Sequence, residues 1–454
     1  MLMRRLFIQT SLLLLCTTTL LTGVAIVMGK LLPTGQMFTA TTATINIAGY
    51  PEPHGSVILI DSNHRLELPV SIETPADSFF PDILPDGYHI MNMWREEIDG
   101  LSWITHIDIY DILSGEGDTI LTYNREVDNP SITFTSDLSA IQFVEDNTLY
   151  IYHFETMQRE TVLTSTRTIR TALPIPNRTD ALIRYDNGDF YRINLNNPDE
   201  EVLLIENAEL PIAVNDPHYT QLAVQQEENI IIVDVMNSDI IQTIPIPNAE
   251  ILDRLIWSPD GNWLAIATDP EANEDTLRTN AQRLYTVELA TGVIYSLNDI
   301  VSVDDNETLR ALWSSDSTQL AIEIIRGASQ PLILQYSDIY VLSPMGENMH
   351  QISEGARRYN LRWMSDRPIL LFLKPVPNTN FNQLYMVDTS AEVLNPVMID
   401  PAGEMIQYAD ENTIVYIRRD INESRLYALN IETGEGRYLS TPHHSIYQFT
   451  HWEN

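Results

Sequence analysis

The densest set of potential ligands in this chain is a run of oxygen donors. Asp269, Glu271, Asn273, Glu274 and Asp275 fall within seven positions. Carboxylates and amide carbonyls at that density are calcium ligands by type. The run lacks the glycine that turns an EF-hand loop, so the leading reading is a solvated acidic loop with calcium only a weak alternative, and the same holds for Asp304-Asp305-Asn306. His443 and His444 are adjacent, and neighbours on a strand point to opposite faces, which separates two would-be ligands. No phosphate-binding loop, His-Glu-x-x-His helix or cysteine metal site occurs. The single cysteine, Cys16, leaves the body without disulfide or thiol chemistry. No metal or cofactor is expected. Sequons at Asn177, Asn306 and Asn422 would matter only in a eukaryotic source.

A second group of candidates is defined by contrast. The chain has 63 acidic and 26 basic residues and a formal charge of −37, which repels phosphate backbones and excludes nucleic-acid binding. Against that background Arg278, Arg326 and Lys374 are scarce cations, and Tyr336 and Phe381 accompany them. They lie in three segments: Asp269 to Gln282, Arg326 to Tyr336 and Lys374 to Asn382.

What must position these residues is a repeat. Ile256-Trp257-Ser258-Pro259-Asp260-Gly261-Asn262-Trp263-Leu264-Ala265-Ile266-Ala267 is a strand, a tight polar turn and a second strand. Proline presets φ in the turn, aspartate bonds the local backbone and glycine takes the positive φ. Reduced copies recur at Trp313-Ser314-Ser315-Asp316 and Trp363-Met364-Ser365-Asp366. Trp257, Asp260, Gly261, Trp313, Asp316, Trp363 and Asp366 are therefore architecture, the tryptophans filling space between units. Period-2 alternation rich in β-branched residues runs from Ile45 to the end, with no sustained helical period. Repeats of roughly 40 to 55 residues with four short strands each are the signature of a β-propeller.

A literal count gives eight complete units plus a split one. Ile446 to Trp452 is an innermost strand with nothing after it, while Thr44–Ala48, Ser56–Ile60 and Leu66–Val70 are outer strands with nothing before them. Joining the ends closes the ring and removes its free edges. Because propellers usually carry four to eight blades, the expectation is about eight, within a range of seven to nine. In such a blade the loop from second to third strand shares a face with the blade-to-blade connection. The three long segments then build one wall over one end of the channel, either a recognition surface or tolerated insertions.

The motif Trp-Ser-Pro-Asp-Gly followed by Leu-Ala resembles the repeat of the TolB-like periplasmic proteins and the propeller half of prolyl-oligopeptidase and dipeptidyl-peptidase enzymes. The likeness is closest over 253–267, 309–322 and 359–372. It implies a ring of antiparallel sheets presenting a surface or channel to a partner, and it transfers no catalytic residue. Those peptidases need a Gly-x-Ser-x-Gly elbow, which is missing here.

At the N-terminus Arg4 and Arg5 precede an apolar run from Leu6 to Met28, long enough to span a bilayer. Arginines before the run place the body outside. The expected organisation is a signal anchor or transmembrane helix over 1–29, a Thr/Ala-rich tether over 30–43 and a propeller over 44–454; a cleaved signal peptide is the alternative. The functional expectation is a membrane-tethered, extracytoplasmic module that binds a protein or small extracellular ligand without catalysis. The alternative is a propeller hydrolase or lyase acting on carbohydrate or peptide, with two channel-facing carboxylates as acid and base.

Overall fold

Ser258 organises the turn that the motif predicts. Its hydroxyl accepts from the Trp263 backbone N–H at 2.9 Å and donates to Asp260 Oδ1 at 2.6 Å. Asp260 Oδ1 also accepts the Asn262 N–H at 3.0 Å, and Gly261 sits at φ 71°. Each such turn closes the first two strands of a four-stranded antiparallel sheet. The computed structural model describes residues 37–42, 56–61, 66–70, 78–84, 89–97, 103–111, 117–124, 132–135, 139–145, 147–175, 178–214, 220–246, 251–269, 283–298, 303, 307–326, 336–357, 360–377, 379, 381–409, 412–419, 423–440 and 446–452.

Among these residues there are nine four-stranded sheets. Numbered along the chain, blade 2 spans 78–124, blade 3 132–164, blade 4 169–205, blade 5 209–245, blade 6 251–296, blade 7 307–357, blade 8 362–400 and blade 9 403–438. Blade 1 is split. Its innermost strand is Ile446–Trp452, and its outer strands are Met37–Thr42, Ser56–Asp61 and Leu66–Val70. Met37 pairs with Trp452 and Thr42 with Ile446 across the closure.

The count is nine, the literal count of units and the upper end of the expected seven to nine. Blades 2 to 5 lack the tryptophan motif and still complete all four strands. The tether is corrected: Met37–Thr42 is the second strand of blade 1, while Thr44–Ala48 lies outside the described residues. The segment expected to be a membrane helix, 1–29, is likewise outside them. No helix among the described residues is long and apolar enough to cross a membrane.

Blades cohere because both sheet faces are buried against neighbours. In the second strand of blade 6, Leu264 and Ile266 join the apolar cluster shared with blade 5, and Ala265 and Ala267 join that shared with blade 7. In blade 8, Leu370 and Phe372 face blade 7 while Leu371 and Leu373 face blade 9. Period-2 alternation sorts one apolar run onto two interfaces. The tryptophans add directed bonds. Trp257 Nε1 donates to the Ala213 carbonyl at 3.2 Å, Trp313 Nε1 to Ile256 at 3.1 Å and Trp363 Nε1 to Leu312 at 3.1 Å.

First strands of successive blades adjoin one another: 209–214 beside 251–257, 307–313 beside 362–363, and 446–452 beside both 403–409 and 78–83. They form the inner wall of the ring.

Candidate functional site: the loop-bearing face and the channel wall

The second and third strands of blade 6 end at Asp269 and restart at Arg283, so Arg278, Glu271, Asn273 and Asp275 lie outside the described residues. Asp269 closes the second strand. In blade 7, Arg326 and Tyr336 are cross-strand partners at the base of the loop and not within it. In blade 8, Lys374 pairs with Gln383 and Pro375 with Asn382, which shortens the expected loop to 376–381. That turn is internally bonded: Val376 N–H donates to the Phe381 carbonyl at 2.9 Å, and Phe381 N–H to Thr379 Oγ1 at 3.2 Å. The three segments do leave the same face, because each joins a second to a third strand. Tyr336 stands 47% exposed there, and Phe381 and Lys374 are half-buried.

Arg326 is not a free cation. Its Nε and Nη2 both reach Asp338 Oδ2 at 2.7 Å, and its Nη1 donates to Glu307. Asp338 Oδ1 also accepts the Gly355 N–H at 3.2 Å. Bonding to Asp338 raises the guanidinium above its ordinary proton affinity; burial opposes this, and the charges of Asp338 and Glu307 reinforce it. The cluster ties all four strands of blade 7 together at the root of its long loop.

Other buried carboxylates are saturated in the same manner. Asp400 accepts the Tyr416 hydroxyl at 2.5 Å and the Ala402 N–H at 2.7 Å, with Arg418 Nε at 3.2 Å. Burial, and then Asp400, drive the Tyr416 hydroxyl well above its ordinary value. Asp108 accepts Trp94 Nε1 at 2.6 Å, Thr119 Oγ1 at 2.7 Å and the Tyr110 hydroxyl at 3.1 Å, and Tyr110 is pushed up to about 12, by burial first and then by Asp108. Such acceptors fully occupied by donors hold sheets together. No group of three or more metal-ligating side chains occurs among the described residues.

The inner wall carries a different pattern, which sequence reasoning missed. Arg170, Arg254, Arg310 and Arg362 lie on the first strands of blades 4, 6, 7 and 8. Arg254 and Arg310 each stand three residues before the motif tryptophan, a spacing visible in the sequence once the tryptophans are aligned. Arg170 and Arg362 are exposed, and no carboxylate among the described residues lies within ion-pair distance of either. Arg254, with 47% of its side chain exposed, meets the buried Asp253 at 3.1 Å. Arg310 approaches the fully buried Glu323 at 3.8 Å. Burial, and then the Arg310 charge, lower the proton affinity of Arg362. Burial, and then Arg170, act likewise on Arg184 of the adjacent strand, whose Nε makes no hydrogen bond.

Comparison with family models and with curated proteins finds no match. Among solved structures, the chain is similar to that of a eukaryotic initiation factor, at 12% identity and TM-score 0.57, covering 92% of this chain and 98% of that one. It also aligns with dipeptidyl peptidase 4 of Porphyromonas gingivalis (10% identity, TM-score 0.42, 88% of this chain and 58% of that one) and with TolB of Acinetobacter baumannii (13%, 0.28, 80% and 82%). With nine four-stranded antiparallel sheets, the chain has the fold of a β-propeller, and that likeness of fold assigns neither ligand nor reaction.

Proposed function

We propose that this propeller is a non-catalytic binding or scaffolding module, held at a membrane by its N-terminal segment with the ring on the extracytoplasmic side. It engages a protein partner or small extracellular ligand over the face where the long loops of blades 6 and 7 emerge beside the short turn of blade 8. The observation that carries this reading is Arg326. At the root of the blade 7 loop, two buried carboxylates that could have served as acid and base are both occupied by one guanidinium. Hydrolysis by a carboxylate pair needs one member free to donate a proton and the other free to act as base or nucleophile. Around that anchored root, Tyr336 offers an exposed aromatic ring, the kind of side chain that dominates recognition surfaces.

The test compares the full-length chain with a version in which 270–282 and 327–335 are replaced by short turns. Both are immobilised and exposed to the extracytoplasmic fraction of the source cell, with Tyr336→Ala as a third bait. Partners captured by the full chain and lost from both variants support the face. Undiminished capture by the loop-shortened ring would sink it. Turnover of an oligosaccharide or peptide library by the full chain would favour the hydrolase instead.

A further inference from the structure

We infer that the cleft between blades 7 and 8 binds one neutral sugar ring, a single unit of a glycan. The cleft lies at the end of the ring opposite the long loops, so this goes beyond the loop-face reading and does not depend on it. Its borders are the first-to-second-strand turn of blade 7 and the third-to-fourth-strand hairpins of both blades.

The recess has a volume of about 320 Å³. Binding pockets run from about 300 to 1,000 Å³, so this one is sized for one ring and not for a chain. A polar bridge between the blades sets its width. Gln319 Nε2 of blade 7 donates to the Thr389 carbonyl of blade 8 at 3.1 Å, and the Thr389 hydroxyl donates to Gln319 Oε1. Val341 and Leu394, both part of the apolar cluster shared by the two blades, supply the recess with hydrocarbon surface. His350 is the cross-strand partner of Val341, and Asn348 stands two residues before it at φ 55°, a conformation asparagine tolerates. The hairpin before them is closed by Ser343, whose N–H donates to the Glu347 carbonyl at 2.9 Å and whose hydroxyl accepts the Glu347 N–H at 3.0 Å.

Asn348 and His350 line this recess with side chains that hold no hydrogen bond among the described residues. The amide offers two donors and an acceptor, the imidazole has a nitrogen on either side of its ring, and the Ser343 hydroxyl keeps its own proton to donate. Three classes of ligand fit these groups poorly. A cation finds no carboxylate and an anion no lysine or arginine among the described lining residues, and an ion desolvated without a partner is costly. The formal charge of −37 further disfavours anions. A purely apolar ligand would strip water from Asn348 and His350 and return no bond. A pyranose answers both halves of the lining: its hydroxyls donate and accept, and its C–H face packs on Val341 and Leu394.

The test titrates the purified full-length chain, by ligand-observed NMR, with the methyl glycosides of glucose, galactose, mannose and N-acetylglucosamine. Glucuronate and glucosamine serve as charged counterparts. Saturable millimolar binding of at least one neutral glycoside is expected, with both charged sugars weaker. Asn348→Gly, which keeps the backbone conformation, and His350→Ala should each weaken it by about tenfold. Ala391→Trp keeps every hydrogen-bonding group, fills the recess and should abolish binding. All three positions are exposed, so the variants fold. Asn207→Gly, at an exposed asparagine with φ 53° elsewhere on the ring, should bind as wild type does. Binding of no neutral glycoside overturns the proposal, as does binding that survives Ala391→Trp or a preference for either charged sugar. The loop-shortened chain should bind the glycoside unchanged, so failure on the loop face and failure in this cleft are separately visible.

Discussion

Trp313 on the first strand of blade 7 donates its indole N–H to the carbonyl of Ile256 on the first strand of blade 6, at 3.1 Å. The acceptor is the residue just before that blade's own motif tryptophan. Trp257 and Trp363 repeat the bond to Ala213 and Leu312. One side chain thus fills the space between blades and fixes their relative height, since an indole donor buried without an acceptor is costly. Trp313→Phe should keep the ring packing and lose roughly 1 kcal/mol from the bond. Trp313→Ala should lose about 3–5 kcal/mol through the cavity it opens. Denaturant midpoints at constant slope measure both, and equal losses for the two variants would remove the bond from the account.

Acid should act on the turns. Burial alone would raise Asp260, but hydrogen bonds from the Ser258 hydroxyl, the Asn262 N–H and the Asn262 side chain outweigh it and hold the carboxyl below its ordinary 3.8. Asp316 is lowered by the same balance, with Ser314 and Thr318 as donors. A carboxyl depressed in the folded state contributes stability that is fully present above the unfolded value near pH 4 and lost as pH falls through the folded value. The wild-type unfolding midpoint should therefore drop as pH falls below about 4 more steeply than that of Asp260→Asn with Asp316→Asn. Parallel profiles would refute the assignment.

Arg326 should matter more to stability than a surface cation does. Arg326→Met strands Glu307 and Asp338 together, and with a guanidinium one-third exposed the loss should be roughly 2 kcal/mol. Adding Glu307→Gln should restore part of it, because one of the two facing charges is gone. A double-variant cycle on unfolding free energy reads the coupling, and strict additivity would show that the cluster does not act as a unit.

How far these features could be read from the sequence depends on how local they are. The Ser258–Asp260 turn lies within five residues, so residue type alone predicts it, and the strand pattern beside it follows from period 2. Arg326 misled as a free cation because Glu307 and Asp338 become its neighbours only once the register of three strands is set. The channel arginines were invisible for a related reason. A single arginine on a strand carries no signal until ring closure puts Arg310 and Arg362 on adjoining inner strands. Met37–Thr42 looked like tether because it is uncharged and rich in threonine, and its pairing partner sits at the opposite end of the chain.

That closure gives a direct prediction about truncation. A chain beginning at residue 44 lacks the strand that joins Ile446–Trp452 to Ser56–Asp61. The innermost strand then loses its partner and two sheet edges are opened, which invites edge-to-edge association. A chain beginning at residue 31 keeps the full blade. The shorter form should unfold at a lower temperature and show concentration-dependent association in sedimentation velocity, while the longer form should match the ring of the intact protein. Equal midpoints and equal sedimentation for the two would mean that blade 1 is not the clasp of the ring.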